Sequence, residues 1–267
     1  MTKLRIFALL AGAVLVASCG DPANQVIAGP EPGAGTRIRF FNFGVSAPGV
    51  HFYANDTKVA GAAEVGFTQD PHLGTATGGT ESTTGTAVGG VTSGGYYNSI
   101  APGAYTFNAR IAATTDNGLK VANLNTTIAA GKKYSVYLSG LYDAVAKTSD
   151  SFIVEDPYPE TYDWNNVMVR FVNSSYNSSP MTLYAKNQTT LTESAVGADV
   201  AYKGAGVFVT LPPGTYDFRA ALGTANPFTR TAVTLTAGKI YTITARGSAL
   251  VAGGSSGSSA LDNTANR

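Results

Sequence analysis

Apolar and polar residues alternate with a period of two in short runs along most of this chain. Ile38 and Phe40, Tyr105 and Phe107, then Tyr134, Val136 and Leu138 each keep one side of an extended segment apolar, as half-buried β-strands require. The same spacing returns in Val169 and Phe171, in Tyr216 and Phe218, and in Tyr241, Ile243 and Ala245. Pro-Gly and Ala-Gly-Lys separate the runs, and their glycines supply turn angles that other residues resist. No segment after Cys19 keeps a helical period, so the pattern predicts an all-β protein.

The runs belong to a repeat. Arg39-Phe40-Phe41-Asn42 recurs as Arg170-Phe171-Val172-Asn173, and Pro102-Gly103-Ala104-Tyr105-Thr106-Phe107 as Pro213-Gly214-Thr215-Tyr216-Asp217-Phe218. Ala130-Gly131-Lys132-Lys133-Tyr134 recurs as Ala237-Gly238-Lys239-Ile240-Tyr241. The offset between copies falls from 131 to 111 to 107 residues, so the first copy holds about 24 more residues than the second. Each copy reads as a small antiparallel β-sandwich, the first over 36–159 and the second over 166–250, joined at 160–165. The excess falls mainly in a Gly/Thr-rich insertion near 67–95, which reads as a long flexible loop. A Gly/Ser run opens residues 251–267, expected to be a disordered tail.

The repeated blocks resemble the domain-of-unknown-function family numbered 4397, over roughly 37–159 and 166–247. The resemblance implies tandem immunoglobulin-like or prealbumin-like β-sandwiches in a bacterial exported lipoprotein. It brings no catalytic or ligand residues, because the shared motifs are structural.

Ahead of the repeats, Lys3 and Arg5 precede an apolar run of twelve residues, Ile6 to Ala17, short of the roughly 20 needed to span a bilayer. With Val16-Ala17-Ser18-Cys19 this order resembles a bacterial lipoprotein signal peptide. The resemblance implies that residues 1–18 are removed and that Cys19 carries a diacylglycerol thioether and an acylated amino terminus, a two-signal membrane anchor. A plain secretory signal with a free cysteine is the alternative. Gly20 stands where an inner-membrane retention signal has Asp, so the expected location is the outer membrane, facing the periplasm or the cell surface. Residues 19–35, with Pro22, Pro30 and Pro32, form a flexible tether. The chain carries 18 basic and 17 acidic residues, and loss of Lys3 and Arg5 leaves a net charge near −1, which offers nucleic acid no general attraction. Cys19 is the only cysteine, so packing without disulfides must hold the fold.

Candidate chemistry is sparse. His51 reads as a solvated strand residue on the face opposite Phe52, and His72 with Asp70 lacks a third metal ligand. Gly253, Ser255 and Gly257 match an esterase spacing but lie in the Gly/Ser run, not at a strand-to-helix elbow. Asp150, Glu155, Asp156, Glu160 and Asp163 cluster where the copies join. Asp150, Glu155 and Asp156 are the candidate calcium ligands there, against a solvated acidic linker, since no regular D-x-D-x-D spacing appears. Tyr158, Tyr162 and Trp164, with Tyr96 and Tyr97, could stack on a sugar or anchor a protein, or else seal the packing between copies. The expectation is a non-enzymatic lipoprotein without cofactors, with a structural, adhesive or partner-binding role toward an envelope protein or glycan. The alternative is carbohydrate capture beside an envelope transporter.

Overall fold

A computed structural model of the chain describes residues 35–60, 68–69, 76–77, 83–249 and 259–266. The alternating segments form strands. In the first copy these are β1 (Arg37–Asn42), β2 (Val50–Ala54), β3 (Thr57–Ala60), β4 (Thr68–Gln69), β5 (Ala76–Thr77), β6 (Gly90–Val91), β7 (Asn98–Ser99), β8 (Gly103–Ile111), β9 (Lys120–Ile128), β10 (Lys133–Asp143) and β11 (Thr148–Glu155). The second copy has β12 (Val167–Ser175), β13 (Thr182–Asn187), β14 (Glu193–Ala195), β15 (Gly204–Ala205), β16 (Val209–Leu211), β17 (Gly214–Leu222), β18 (Ala225–Leu235), β19 (Ile240–Gly247) and β20 (Ala260–Ala265). Strands β4 and β5 form a ladder of their own, Thr68 opposite Thr77. The other strands belong to one compact unit spanning 34–67 and 78–267.

Each copy contributes two sheets to that unit. The inner sheets run β11-β10-β1-β6, with β7 also on β1, and β15-β12-β19-β20, with β16 also on β12; the outer sheets run β3-β2-β8-β9 and β14-β13-β17-β18. Pairing is antiparallel except at the centre of each inner sheet, where β1 lies parallel to β10 and β12 to β19. A period of two is identical in parallel and antiparallel strands, so alternation alone does not signal this. The chain between the parallel partners passes through the outer sheet, which supplies the long crossover that parallel strands need.

Within each sandwich the expected faces meet. Phe40, Phe52, Phe107, Val136 and Leu138 fill the first core, and Phe171, Leu183, Phe218, Phe228 and Ile243 the second. A third apolar layer lies between the copies. Phe41, Phe43, Tyr137, Phe152 and Val154 of the first inner sheet pack with Val172 of the second, and the Phe41, Tyr137 and Phe152 rings stack at centroid distances of 4.6 and 4.9 Å. Four sheets are therefore layered, and β1 and β12 are buried on both faces where alternation predicts one solvated face.

Two expectations are corrected here. The tail expected over 251–267 is not disordered at its end: β20 pairs with β19 over Tyr241 to Arg246, and Leu261 enters the second core at 2% exposure. The remaining tail residues, with Gly253, Ser255 and Gly257, lie outside the described residues. The loop expected over 67–95 is likewise built into the first sandwich from residue 83 onward. Thr86 bridges Val50 as Val200 bridges Met181 in the second copy, and β6 pairs with β1 as β15 does with β12. Gly85 permits that approach, because its φ is +64° and a Cβ there would fall 2.6 Å from the Val50 carbonyl oxygen. Sequence alternation is absent from this segment because its ladders are two residues long.

Leu261→Ala should lower the unfolding free energy by about 2–5 kcal/mol, the cost of a core cavity, in a urea titration. Leu191→Ala, at a site 67% exposed, should change it by no more than about 0.5 kcal/mol.

Candidate functional site

The period that sends Phe40 and Phe171 into the sandwich cores sends Arg39 and Arg170 the other way, into the layer between copies. Both are sealed there, at 0% and 1% exposure, with Asp156 at 2%. Arg39 donates from Nε to Ser135 Oγ at 2.9 Å and from Nη1 to the Ala265 carbonyl of the other copy at 3.1 Å. Arg170 repeats this in mirror order, from Nε to Thr242 Oγ1 at 3.2 Å and from Nη1 to the Glu155 carbonyl at 2.7 Å. Each guanidinium lies over an aromatic ring of its own copy, Tyr97 at 4.5 Å and Phe208 at 4.8 Å.

One carboxylate serves both cations. Asp156 accepts from Arg170 Nη2 through Oδ1, while its Oδ2 accepts from Ser135 Oγ at 2.7 Å and Tyr97 OH at 2.5 Å, with Arg39 Nη2 3.9 Å away. Asn266 holds the matching place in the second copy: its Oδ1 accepts from Thr242 Oγ1 at 2.8 Å, and its Nδ2 donates to Tyr97 OH at 3.2 Å. Tyr97 thus passes a hydrogen bond from Asn266 to Asp156. Burial draws the Arg170 guanidinium below its usual range and pushes the Tyr97 phenol above its own. At the far end of the layer Ser139 meets Ser174 at 2.9 Å and Tyr202 OH at 3.1 Å, and burial pushes the Tyr202 phenol up to about 12. These closed contacts clamp two sheets together.

Residues 167–266 match DUF4397, a domain of unknown function. The DUF4397 segment thus includes Arg170, Asn266 and β20, in keeping with the C-terminal strand being part of the domain. No curated protein matches the chain. Among solved structures, the chain is similar to the Bacillus anthracis TIE protein at 11% identity and a TM-score of 0.24, over 80% of this chain and 34% of that one. It is also similar to a protein of Bacteroides ovatus provisionally described as a cell adhesion protein, at 12% identity and a TM-score of 0.26, over 87% and 96% of the two chains. A leucine-rich repeat protein from Bacteroides thetaiotaomicron gives 12% identity and a TM-score of 0.19, over 78% and 25%. The chain thus spans about a third and a quarter of the first and last of these.

The candidate calcium ligands are not brought together. Asp150 pairs with Lys203 Nζ at 2.6 Å, Glu155 with Lys132 Nζ at 2.8 Å, and Asp156 is enclosed by the two arginines. Each carboxylate has a cation of its own, and among the described residues no three acidic, His or Cys side chains could share a metal ion. Glu160 pairs with Lys133, and Asp163 accepts from the Asn165 amide and from Asn166, which holds its carboxyl below the usual range. His51 is buried on β2 between β3 and β8, not solvated. Cys19, Asp70 and His72 lie outside the described residues.

The three junction aromatics part ways. Tyr158 is buried, its hydroxyl donating to the Asn266 carbonyl at 3.3 Å and its ring edge-on to Phe208 at 5.8 Å, so it belongs to the packing and to no open platform. Tyr162 donates to the Gly238 carbonyl and stacks on Trp164 at 5.2 Å. Trp164 remains 59% exposed, lying on a turn whose Gly238 has φ +73° and no room for a Cβ, which would fall 2.9 Å from the indole. Of the aromatics before the first copy's Pro-Gly turn, Tyr96 is 68% exposed while Tyr97 enters the clamp. Sequence reading missed Arg39 and Arg170 as partners of Asp156, although an arginine held at the same strand position in both copies is the signal that could have found them.

Asp156→Asn leaves two buried guanidiniums without a carboxylate and should cost about 3–5 kcal/mol of stability by urea titration. Alkali should weaken the clamp through the phenols. Because folding raises the Tyr97 and Tyr202 pKa values, their contribution is complete below the unfolded value of about 10 and falls as pH rises above it. Tyr97→Phe should flatten the decline of the denaturation midpoint above about pH 10; an unchanged slope would exclude Tyr97 as its source.

Proposed function

We propose that this chain is a non-enzymatic lipoprotein of the outer membrane or cell surface, tethered through Cys19, with a structural, adhesive or partner-binding role. The observation that carries this reading is the use to which the repeated polar residues are put. Arg39 and Arg170 clamp the two copies; Asn42 and Asn173 donate to the Thr86 and Val200 carbonyls at 2.8 and 3.0 Å. Tyr105 and Tyr216 donate to the Ala101 and Pro212 carbonyls at 3.0 and 2.8 Å. Residues engaged in this way build a rigid body and are not free for proton transfer or attack. The same equivalences support reading the first sandwich as a second DUF4397 domain, in tandem with that at 167–266. Membrane attachment would then come from the lipid, and recognition of an envelope protein or glycan from the outward surfaces.

A second reading, capture of a carbohydrate beside a transporter, is favoured by the exposed Trp164 backed by Tyr162, since a flat indole offers a sugar ring a stacking face. Cys19→Ser should abolish both fatty-acid labelling and membrane fractionation of the protein. In the same preparations Trp164→Ala should reduce retention on envelope glycans if the second reading holds, and leave it unchanged if the protein binds through another face.

A further inference from the structure

Contacts between the two copies are reciprocal. Arg39 reaches Ala265 as Arg170 reaches Glu155, and Ser139 meets Ser174 as their counterparts Arg246 and Phe43 meet, with the guanidinium carbon 5.7 Å from the ring centroid. Contacts in which i meets j and j meets i are the mark of a two-fold axis. By backbone geometry alone, such a face could pair with its own kind.

Positions that differ between the copies break that symmetry: Phe41, Tyr137 and Phe152 against Val172, Thr244 and Asp262, Asp156 against Asn266, Tyr97 against Phe208, and Gly89 against Lys203. The last two residues are equivalent because their amides donate to the Asn42 and Asn173 carbonyls at 2.7 and 2.9 Å. Two second-copy faces brought together would lose the stacked Phe41, Tyr137 and Phe152 rings and would bury two Arg170 guanidiniums with an Asn266 amide, not the Asp156 carboxylate, beside each. They would also set Arg246 against Lys203, in the place where Arg246 now lies over Gly89 so closely that a Cβ would fall 3.1 Å from its guanidinium carbon. Uncompensated guanidiniums and facing like charges are disfavoured in a desolvated layer, even though Arg246 keeps Asp262 of its own copy as a partner. The observed pair avoids both conflicts, and Lys203 meets Asp150 at 2.6 Å instead.

We infer that the inner face of the second sandwich is a selective docking surface for a first-copy face bearing the Asp156 carboxylate, holding it without the covalent junction and rejecting its own kind. The test uses the full chain with a protease site placed at the exposed Pro159–Thr161 segment, cut after folding and followed by native mass spectrometry on dilution. One-to-one pairs should persist at micromolar concentration with no pairs of second sandwiches, and Asp156→Asn should loosen the cut pair by about 100-fold or more. The inference is overturned if the cut wild-type halves separate as folded monomers, or if pairs of second sandwiches are as abundant as mixed ones. Both readouts come from the wild-type protein and hold whether or not a variant folds.

Discussion

A single buried carboxylate between two buried guanidiniums constrains most of this structure. Ions of this kind are tolerated away from water only when nearly every donor finds an acceptor. Asp156 and Arg170 bond directly, but Arg39 sits 3.9 Å from the carboxylate and depends on Ser135, Ala265 and the Tyr97 ring. The acceptors come from strand ends far apart in sequence: Ser135 and Thr242 after the Ala-Gly-Lys turns, Glu155 on β11 and Ala265 on β20. Each must sit at its place for the arginines to be satisfied. The C-terminal strand is therefore needed twice, once to place Leu261 in the core and once to bring Ala265 and Asn266 to the clamp.

An ion cluster of this sort is a poor source of net stability and a good source of specificity. The apolar layer of Phe41, Tyr137, Phe152 and Val172 would hold many pairs of sheets together, in many registers. Hydrogen bonds from Arg39 and Arg170 admit one arrangement, because sliding one sheet over the other would carry each guanidinium away from its acceptor, the Ala265 or Glu155 carbonyl of the other copy. Apolar area supplies attraction, and the charged centre selects the arrangement.

Much of the fold was legible in the sequence for a local reason. Strands whose apolar residues alternate over five or more positions announce themselves, and the repeated Pro-Gly and Ala-Gly-Lys turns locate their ends, so both sandwiches and their cores follow from the pattern. What escaped depends on contacts that local pattern does not encode. Arg39 and Phe41 looked like one outward face of β1, and only the neighbouring sandwich makes that face interior. Residues 83–95 and 259–266 looked unstructured because Gly and Ser runs sit beside them, yet short ladders and a single leucine suffice to fix them. Among the candidate site residues, the acidic cluster proved to be separate partners of separate cations, Tyr158 a packing residue, and only Trp164 with Tyr162 retained an outward stack.

The motif shared by the copies acquires a division of labour from these contacts. In Arg-Phe-x-Asn, the phenylalanine fills its own sandwich, the asparagine fastens the incoming loop through the Thr86 or Val200 carbonyl, and the arginine reaches the other copy. Three residues of one four-residue motif thus serve the core, the local connection and the partner. A pattern of this kind can be repeated as a unit, since each copy brings both its own core residue and half of the clamp. The two halves differ at the facing positions, the first supplying the aromatic layer and Asp156 where the second has Val172, Thr244 and Asn266, and these differences make the pair directional. With those polar positions committed inward, the proposed partner-binding role would fall to the outer sheets and the junction that bears Trp164, which can change without loosening the pair.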